Sequence, residues 1–302
     1  MVKIQNQESK EEKKLLKPKN DIVFQSLFNK DNEKITKAFV QALLGEKIES
    51  LIINDNKYLL REKTEDRLGI LDLEVDVNNN EKVDVEIQLI EQKNFAERLL
   101  FYFSRLYAKQ IKKGYDYTQA KRVVLIAIVD YEPELTKGLE QMETIWQLRE
   151  KEHPELLLTN SIEICIIEIN KVKRMYELNK NDPKTQWLLF LDDPNTKEVR
   201  KIMEENKDIE EATIIVREMS EDEKMERIAF LREKAIMDEK DYYRTGMEKG
   251  LKDGMEKGIK DGMEKVVKKM IEANMPKEQI AKITELSMDK IIKIEQNIKK
   301  AD

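Results

Sequence analysis

The residues best suited to chemistry lie between Leu68 and Leu89, in the stretch LGILDLEVDVNNNEKVDVEIQL. Acidic and aliphatic side chains alternate there with a period of two, which is a strand pattern, and Asn78, Asn79 and Asn80 separate two such runs as the loop of a hairpin would. If Val77 pairs with Glu81, one side of the hairpin receives Asp72 opposite Glu86, Glu74 opposite Asp84, Asp76 opposite Lys82 and Ile70 opposite Gln88. A four-residue turn would break that register. Leu71, Leu73, Val75, Val77, Val83, Val85, Ile87 and Leu89 fall on the other side, a complete apolar face that belongs to a core.

Carboxylates directly opposite one another across a hairpin have β-carbons about 4.5–5.5 Å apart and destabilise the pair unless positive charge sits between them. A divalent cation meets that need. Hard ions such as Mg²⁺ take oxygen ligands, favour one or two carboxylates and keep waters that they polarise toward a nucleophile. Phosphodiester hydrolysis uses this arrangement. The alternative is a half-exposed strand pair whose acidic face is only solvated.

The elements that must position this hairpin follow from periodicity. Residues 1–16 are charged and poor in apolar side chains, a flexible lead-in. Asn20 reads as a helix cap, and the apolar positions Val23, Leu27 and Phe28, then Ile35, Phe39 and Leu43, predict two helices, the second stopped by Gly45. Ile48 to Leu60 is a further strand, and Phe95 to Lys113 a helix that covers the sheet. Arg122 to Asp130 and Ile162 to Ile169 are near-continuous Val and Ile runs, as expected of strands buried on both faces. The spacing places a linking helix around Glu140 to Glu150. After about residue 200 only helical signal remains.

From Thr245 the segments GMEKGLKD, GMEKGIKD and GMEKVVKK repeat every eight residues and contain five of the nine glycines. Opposite charges four apart, such as Glu248 with Lys252 and Glu256 with Lys260, support a helix by a few tenths of a kcal/mol each. Each glycine costs roughly 0.5–1 kcal/mol relative to Ala, so an isolated helix is marginal and a partner helix would tip the balance. Met247, Leu251, Met255, Ile259 and Met263 form an apolar track beside the glycines; a flexible charged spacer is the other reading. The last segment, MPKEQIAKITELSMDKIIKIEQ, reads as two short helices in a helix-turn-helix-like order, a pattern commoner in packing modules than in groove readers.

Composition narrows the function. A chain of 302 residues holds one ordinary domain and a smaller appendage. Single residues of each kind, Cys165 and His153, argue against an intrachain disulfide, a cysteine-rich zinc site and a histidine metal cage, and fit a cytoplasmic location. Apolar runs are far too short to span a bilayer, so neither export nor membrane insertion is expected. A net charge of −6 places any nucleic-acid binding on local clusters of Lys and Arg.

At these residues the chain resembles the PD-(D/E)XK nuclease superfamily, and within it the Rpn family of recombination-promoting, transposase-like nucleases. The resemblance runs from about Lys17 to Leu191 through KPKNDIVF, ILDLEV, VEIQL, RLLFYFSRLYAKQIKKGYDY and RVVLIAIVDYE, and the repeats and IAKITELS of the tail are similar to C-termini of that family. It implies an α/β fold, a restriction-endonuclease-like mixed sheet flanked by helices, here with an all-helical C-terminal tail. The implied segments are 1–16 as lead-in, 17–200 as the nuclease-like domain, 201–245 as a helical linker and 246–302 as the repeat helix with its helix-turn-helix-like end.

By the same resemblance Asp72, Glu86 and Gln88 are the catalytic positions, with Mg²⁺ or Mn²⁺ held by Asp72, Glu86 and the backbone carbonyl of Ile87. Gln88 stands where most of the superfamily has Lys, and it offers only neutral hydrogen bonds in place of a positive charge. Asp21 resembles an early acidic position that holds a metal-bound water, or is a first-turn acid favoured by the helix dipole. Arg98, Arg105 and Gln110 on the covering helix could meet phosphate, or serve as solvated surface. The implied function is a metal-dependent DNA endonuclease promoting recombination, with DNA as partner and a homodimer through the tail. The alternative is a weak or inactive nuclease fold acting as a DNA-binding or oligomerisation module.

Overall fold

The structure is a computed structural model and describes residues 13–54, 73–91, 94–111, 114 and 116–299. The chain divides into two units, Met1–Ile236 and Met237–Asp302. The first begins with α1 (Asp21–Leu27) and α2 (Glu33–Leu44). Asn20 caps α1, its side-chain oxygen accepting from the amide of Ile22, and Gly45 ends α2 in the left-handed conformation at φ 71°. The described strands are β1 (Leu51–Ile53), β2 (Leu73–Val77), β3 (Glu81–Gln88), β4 (Arg122–Val129), β5 (Glu143–Trp146) and β6 (Ile162–Glu168), with α3 (Phe95–Lys109) between β3 and β4. They form one mixed sheet in the order β1-β2-β3-β4-β6-β5. β1, β2 and β3 are antiparallel, β3, β4 and β6 parallel, and β5 closes the edge antiparallel to β6.

The hairpin register is the one the alternation predicts. Val77 pairs with Glu81, Asp76 with Lys82, Glu74 with Asp84 and Leu73 with Val85. Asn78 and Asn79 make the loop possible by taking φ values of 48° and 60°, a left-handed region that asparagine tolerates better than most side chains. The Asn78 side-chain oxygen also accepts from the amides of Glu49 and Ser50, which ties the approach to β1 onto the turn.

Two apolar layers sandwich the sheet. Leu73, Val75, Val77, Val83, Val85, Val124, Ile126 and Ile128 point into a core with α1, α2 and the later helices α5 (Pro183–Asp192), α6 (Lys197–Glu205) and α7 (Lys207–Glu221). Within it Phe28 stacks on Phe39 at 4.3 Å between centroids, and Trp187 meets Phe39 edge-on at 5.6 Å. On the opposite face Val123, Leu125, Ala127 and Val129 meet Phe95, Leu99, Phe103 and Leu106 of α3. β4 is therefore buried on both sides, as its continuous Val and Ile run requires.

One element differs from its sequence reading. The helix expected around Glu140 to Glu150 is absent, and Glu143–Trp146 is instead the edge strand β5, paired through Thr144 with Ile166 and Ile145 with Cys165. The expected helix gives way to the β-branched and aromatic content of Thr144, Ile145 and Trp146 and to the open backbone edge of β6. Of the expected strand Ile48–Leu60, residues 48–54 are among those described and contain β1; the rest of that reading lies outside the described residues. The segment read as a linker from 201 begins inside the fold, because Ile202, Ile209, Ala212 and Val216 are buried in the first core. Residues 13–16, the described end of the lead-in, dock through the amides of Leu15 and Leu16, which donate to Asn195 and Ser220.

α4 (Val172–Leu178) completes the first unit's helices, and α8 (Glu223–Glu272) runs as one helix through all five repeat glycines. The second unit holds α8 from Met237 onward, α9 (Lys277–Thr284) and α10 (Met288–Lys299), with Val267, Ile280, Ile291 and Ile294 packed together. Among the described residues no helix is long and apolar enough to cross a membrane.

Candidate active site on the third strand

Alternation puts Lys82, Asp84, Glu86 and Gln88 on the face opposite Val83 and Val85, which is the face that α3 covers. Their parallel neighbours on β4 are Val123, Leu125, Ala127 and Val129. Asp84 is 0% exposed and Glu86 4% exposed. Ala127, the smallest of those neighbours, stands beside Glu86 and leaves the most room there. Carboxylates are rarely this deep unless they are paired or hold a ligand, which makes the two of them candidates for a site.

The strip divides into two ends. Toward the turn, Asp76 is a hub, accepting from Asn54 at 2.9 Å, Lys82 at 3.1 Å and Lys121 at 3.1 Å. Burial would raise its pKa, but these donors more than offset that and hold the carboxyl below its ordinary value. Glu74 shares Lys82 at 3.6 Å. The amide of Gln110, at the end of α3, clasps the backbone of Lys121 through bonds of 3.2 and 3.0 Å and so aims that lysine. Any phosphate contact from Gln110 would exchange those bonds. This end is a neutralised structural network.

At the other end the groups are oxygen-rich. The Gln88 side-chain nitrogen donates to Glu86 Oε2 at 3.3 Å, and the phenol of Tyr131 donates to Gln88 Oε1 at 3.3 Å. The Tyr131 ring packs edge-on against Phe95 at 6.0 Å, and burial, with help from Glu91, pushes its phenol pKa up so that it stays a donor. Tyr131 had no place in the sequence reading. Its signal was position, just past the end of β4, since the carboxyl ends of parallel strands are where open α/β sheets place their sites.

Arg98 lies half-buried on α3, donating to the Tyr102 phenol at 3.1 Å with its guanidinium 5.6 Å from that ring's centre. Arg105, seven residues on and so on the same side of the helix, is exposed. Asp21 sits in the first turn of α1 and forms a two-pronged ion pair with Arg232 at 2.6 to 2.9 Å. The preceding Lys19 bridges Asp130, at the end of β4, and Asp192 at 3.1 and 2.8 Å, while the Asp130 amide donates to the Gln88 carbonyl. That chain of contacts anchors the start of α1 to the Gln88 end of the sheet.

Asp72 lies outside the described residues. Among those described, no group of three or more His, Cys, Asp and Glu side chains is arranged to hold a metal. The donors present, the Glu86 and Asp84 carboxylates and the carbonyl oxygens of this strand end, are hard oxygen ligands of the type Mg²⁺ or Mn²⁺ takes, so they fit such an ion.

No curated protein and no solved structure matches the chain. A family model does, across residues 18–246, which include every described strand and α3. The mixed sheet with its covering helix and acidic third strand is an α/β fold of the PD-(D/E)XK kind, and the chain belongs to the PD-(D/E)XK nuclease family transposases.

Proposed function

We propose that the protein is a metal-dependent DNA endonuclease whose site lies at the Glu86 and Gln88 end of β3. The burial of Glu86 beside Ala127, with its carboxylate met by a hydrogen-bonded Gln88, carries this reading. Asp72, Glu86 and the Ile87 carbonyl would hold Mg²⁺ or Mn²⁺, which when bound supplies charge neutralisation and an acidified water. Gln88, fixed by Tyr131, orients the Glu86 carboxylate and presents a neutral donor where a lysine would supply a charge. Arg98 and Arg105 would meet the DNA backbone from the α3 side, and Asp21, held by Arg232, would order a water. Both strands of a duplex are cut by a homodimer assembled through α8, in the cytoplasm, in reactions that promote recombination.

The test is incubation of supercoiled plasmid with purified protein over graded Mg²⁺, Mn²⁺ and Ca²⁺, beside Asp72→Ala and Glu86→Ala. Both variants are expected to lose cleavage while keeping their metal-free melting temperature, because each removes a ligand and also relieves repulsion across the hairpin. Parental cleavage by either one would place the site elsewhere. One observation favours a second reading, a nuclease fold retained as a binding module: Gln88 brings no positive charge to Glu86. Absence of cleavage with all three ions, together with retained DNA binding, would select it.

A further inference from the structure

We propose that α9 and α10 form a helix-turn-helix that seats α10 in the major groove of duplex DNA, independently of whether the hairpin is catalytic. The geometry begins with length. α9 is eight residues, Lys277–Thr284, and only Glu285, Leu286 and Ser287 separate it from α10. Glu285 takes the left-handed conformation at φ 55°, which reverses the chain within that short turn. Ile280 of α9 and Ile291 and Ile294 of α10 are buried together against Val267 of α8, with Ala281 and Leu286 packed at their margin. Lys277 pairs with Glu295 and fastens the start of α9 to the second half of α10. The two helices are thus set as one rigid unit with α8 behind them.

What this unit presents outward decides its partner. Asp289, Ile292, Lys293 and Gln296 are exposed and fall at positions i, i+3, i+4 and i+7 of α10, a single stripe. The stripe sets one aliphatic side chain, Ile292 at 37% exposed, among three polar ones. Base edges in the major groove take this mixture: Gln pairs with adenine, Lys with guanine, Asp with cytosine and an aliphatic side chain with the thymine methyl. The groove, about 12 Å wide, admits a helix, whereas that of duplex RNA does not. Exposed Lys265, Lys268 and Lys269 flank Val267 on α8 and supply phosphate contacts that position without reading. The segment lies beyond residues 18–246, which the family model matches.

Anisotropy of a labelled duplex, taken from a pool selected on the full-length protein in EDTA, tests this without cleavage. Lys293→Ala combined with Gln296→Ala is expected to weaken binding about tenfold or more and to lower the salt slope by about one, with helicity unchanged by circular dichroism. Lys249→Ala combined with Lys257→Ala, in the repeats, removes more charge and should cost far less. Failure of the selection to enrich any sequence, equal losses in the two pairs, or an altered sedimentation mass with duplex affinity intact would each overturn the proposal; the last would assign the stripe to a protein partner. Lost cleavage with intact binding would instead count against the hairpin alone.

Discussion

Tyr131 donates to Gln88 Oε1 at 3.3 Å, and this bond dictates which atom of Gln88 meets Glu86. With its oxygen taken by the phenol, Gln88 offers its nitrogen to the carboxylate at 3.3 Å. Loss of the phenol frees the amide to rotate. Tyr131→Phe is therefore expected to lower kcat by roughly fivefold to tenfold, about 1 kcal/mol, with KM for plasmid nearly unchanged, since the residue positions and does not bind DNA. A change confined to KM would move Tyr131 from a positioning role to the DNA surface.

Gln88→Lys places an ammonium beside Glu86, at the position proposed to match the superfamily's Lys, at the cost of the acceptor for Tyr131. Activity should persist or rise in the plasmid assay. If this variant loses both metal binding, read by calorimetry, and cleavage, then the carbonyl of Gln88 is what the site requires.

These two residues show where sequence reasoning reached and where it stopped. The strict alternation around Asn78–Asn80 was enough to place Glu74 opposite Asp84 and Asp76 opposite Lys82, because a one-residue slip would turn every valine to the polar face. Tyr131 was not legible, since its partner is reached through a parallel pairing of β3 with β4 that no local pattern encodes. The same limit hid Arg232 as the partner of Asp21, 211 residues away. At Glu143–Trp146 the backbone edge of β6 outweighed local spacing, a tertiary effect invisible in the segment itself.

Asp76 gives the fold a pH dependence of known sign. Its folded pKa lies below the ordinary 3.8, so its bonds to Asn54, Lys82 and Lys121 stabilise fully above that value and are lost as pH falls through the lower folded one. Asp76→Asn should cost about 1–3 kcal/mol in urea unfolding at neutral pH. The gap from the parent should narrow as pH falls from neutral to below the ordinary carboxylate value of 3.8. A constant gap across that range would mean that packing, and not charge, holds Asp76.

Cys165 lies buried on β6 and donates its thiol to Glu143, which also accepts from Lys184. Burial, then the Glu143 charge, pushes the thiol pKa well above its ordinary value, so little reactive thiolate forms. Iodoacetamide at pH 8 should leave the native protein unmodified by mass spectrometry and modify one site after unfolding in urea. Rapid native labelling would show that β5 opens from the sheet edge.

α8 carries the argument for assembly. Met247, Leu251, Met255 and Ile259 are 70, 67, 61 and 67% exposed, and among the described residues nothing beyond the helix's own local backbone lies within 4 Å of where a Cβ would sit on Gly250, Gly254 or Gly258. Replacing those three glycines with Ala should therefore raise helicity, by roughly 0.5–1 kcal/mol each, if α8 stands alone. In a dimer the same glycines let two backbones approach, and added methyl groups hold them apart. The triple variant is thus expected to be more helical by circular dichroism yet monomeric by light scattering, as is a chain truncated after Tyr243, and both should give more nicked than linear plasmid. A triple variant that gains helicity and keeps the parent's mass would remove the glycines from the interface, and a truncated chain of unchanged molecular order would remove the tail.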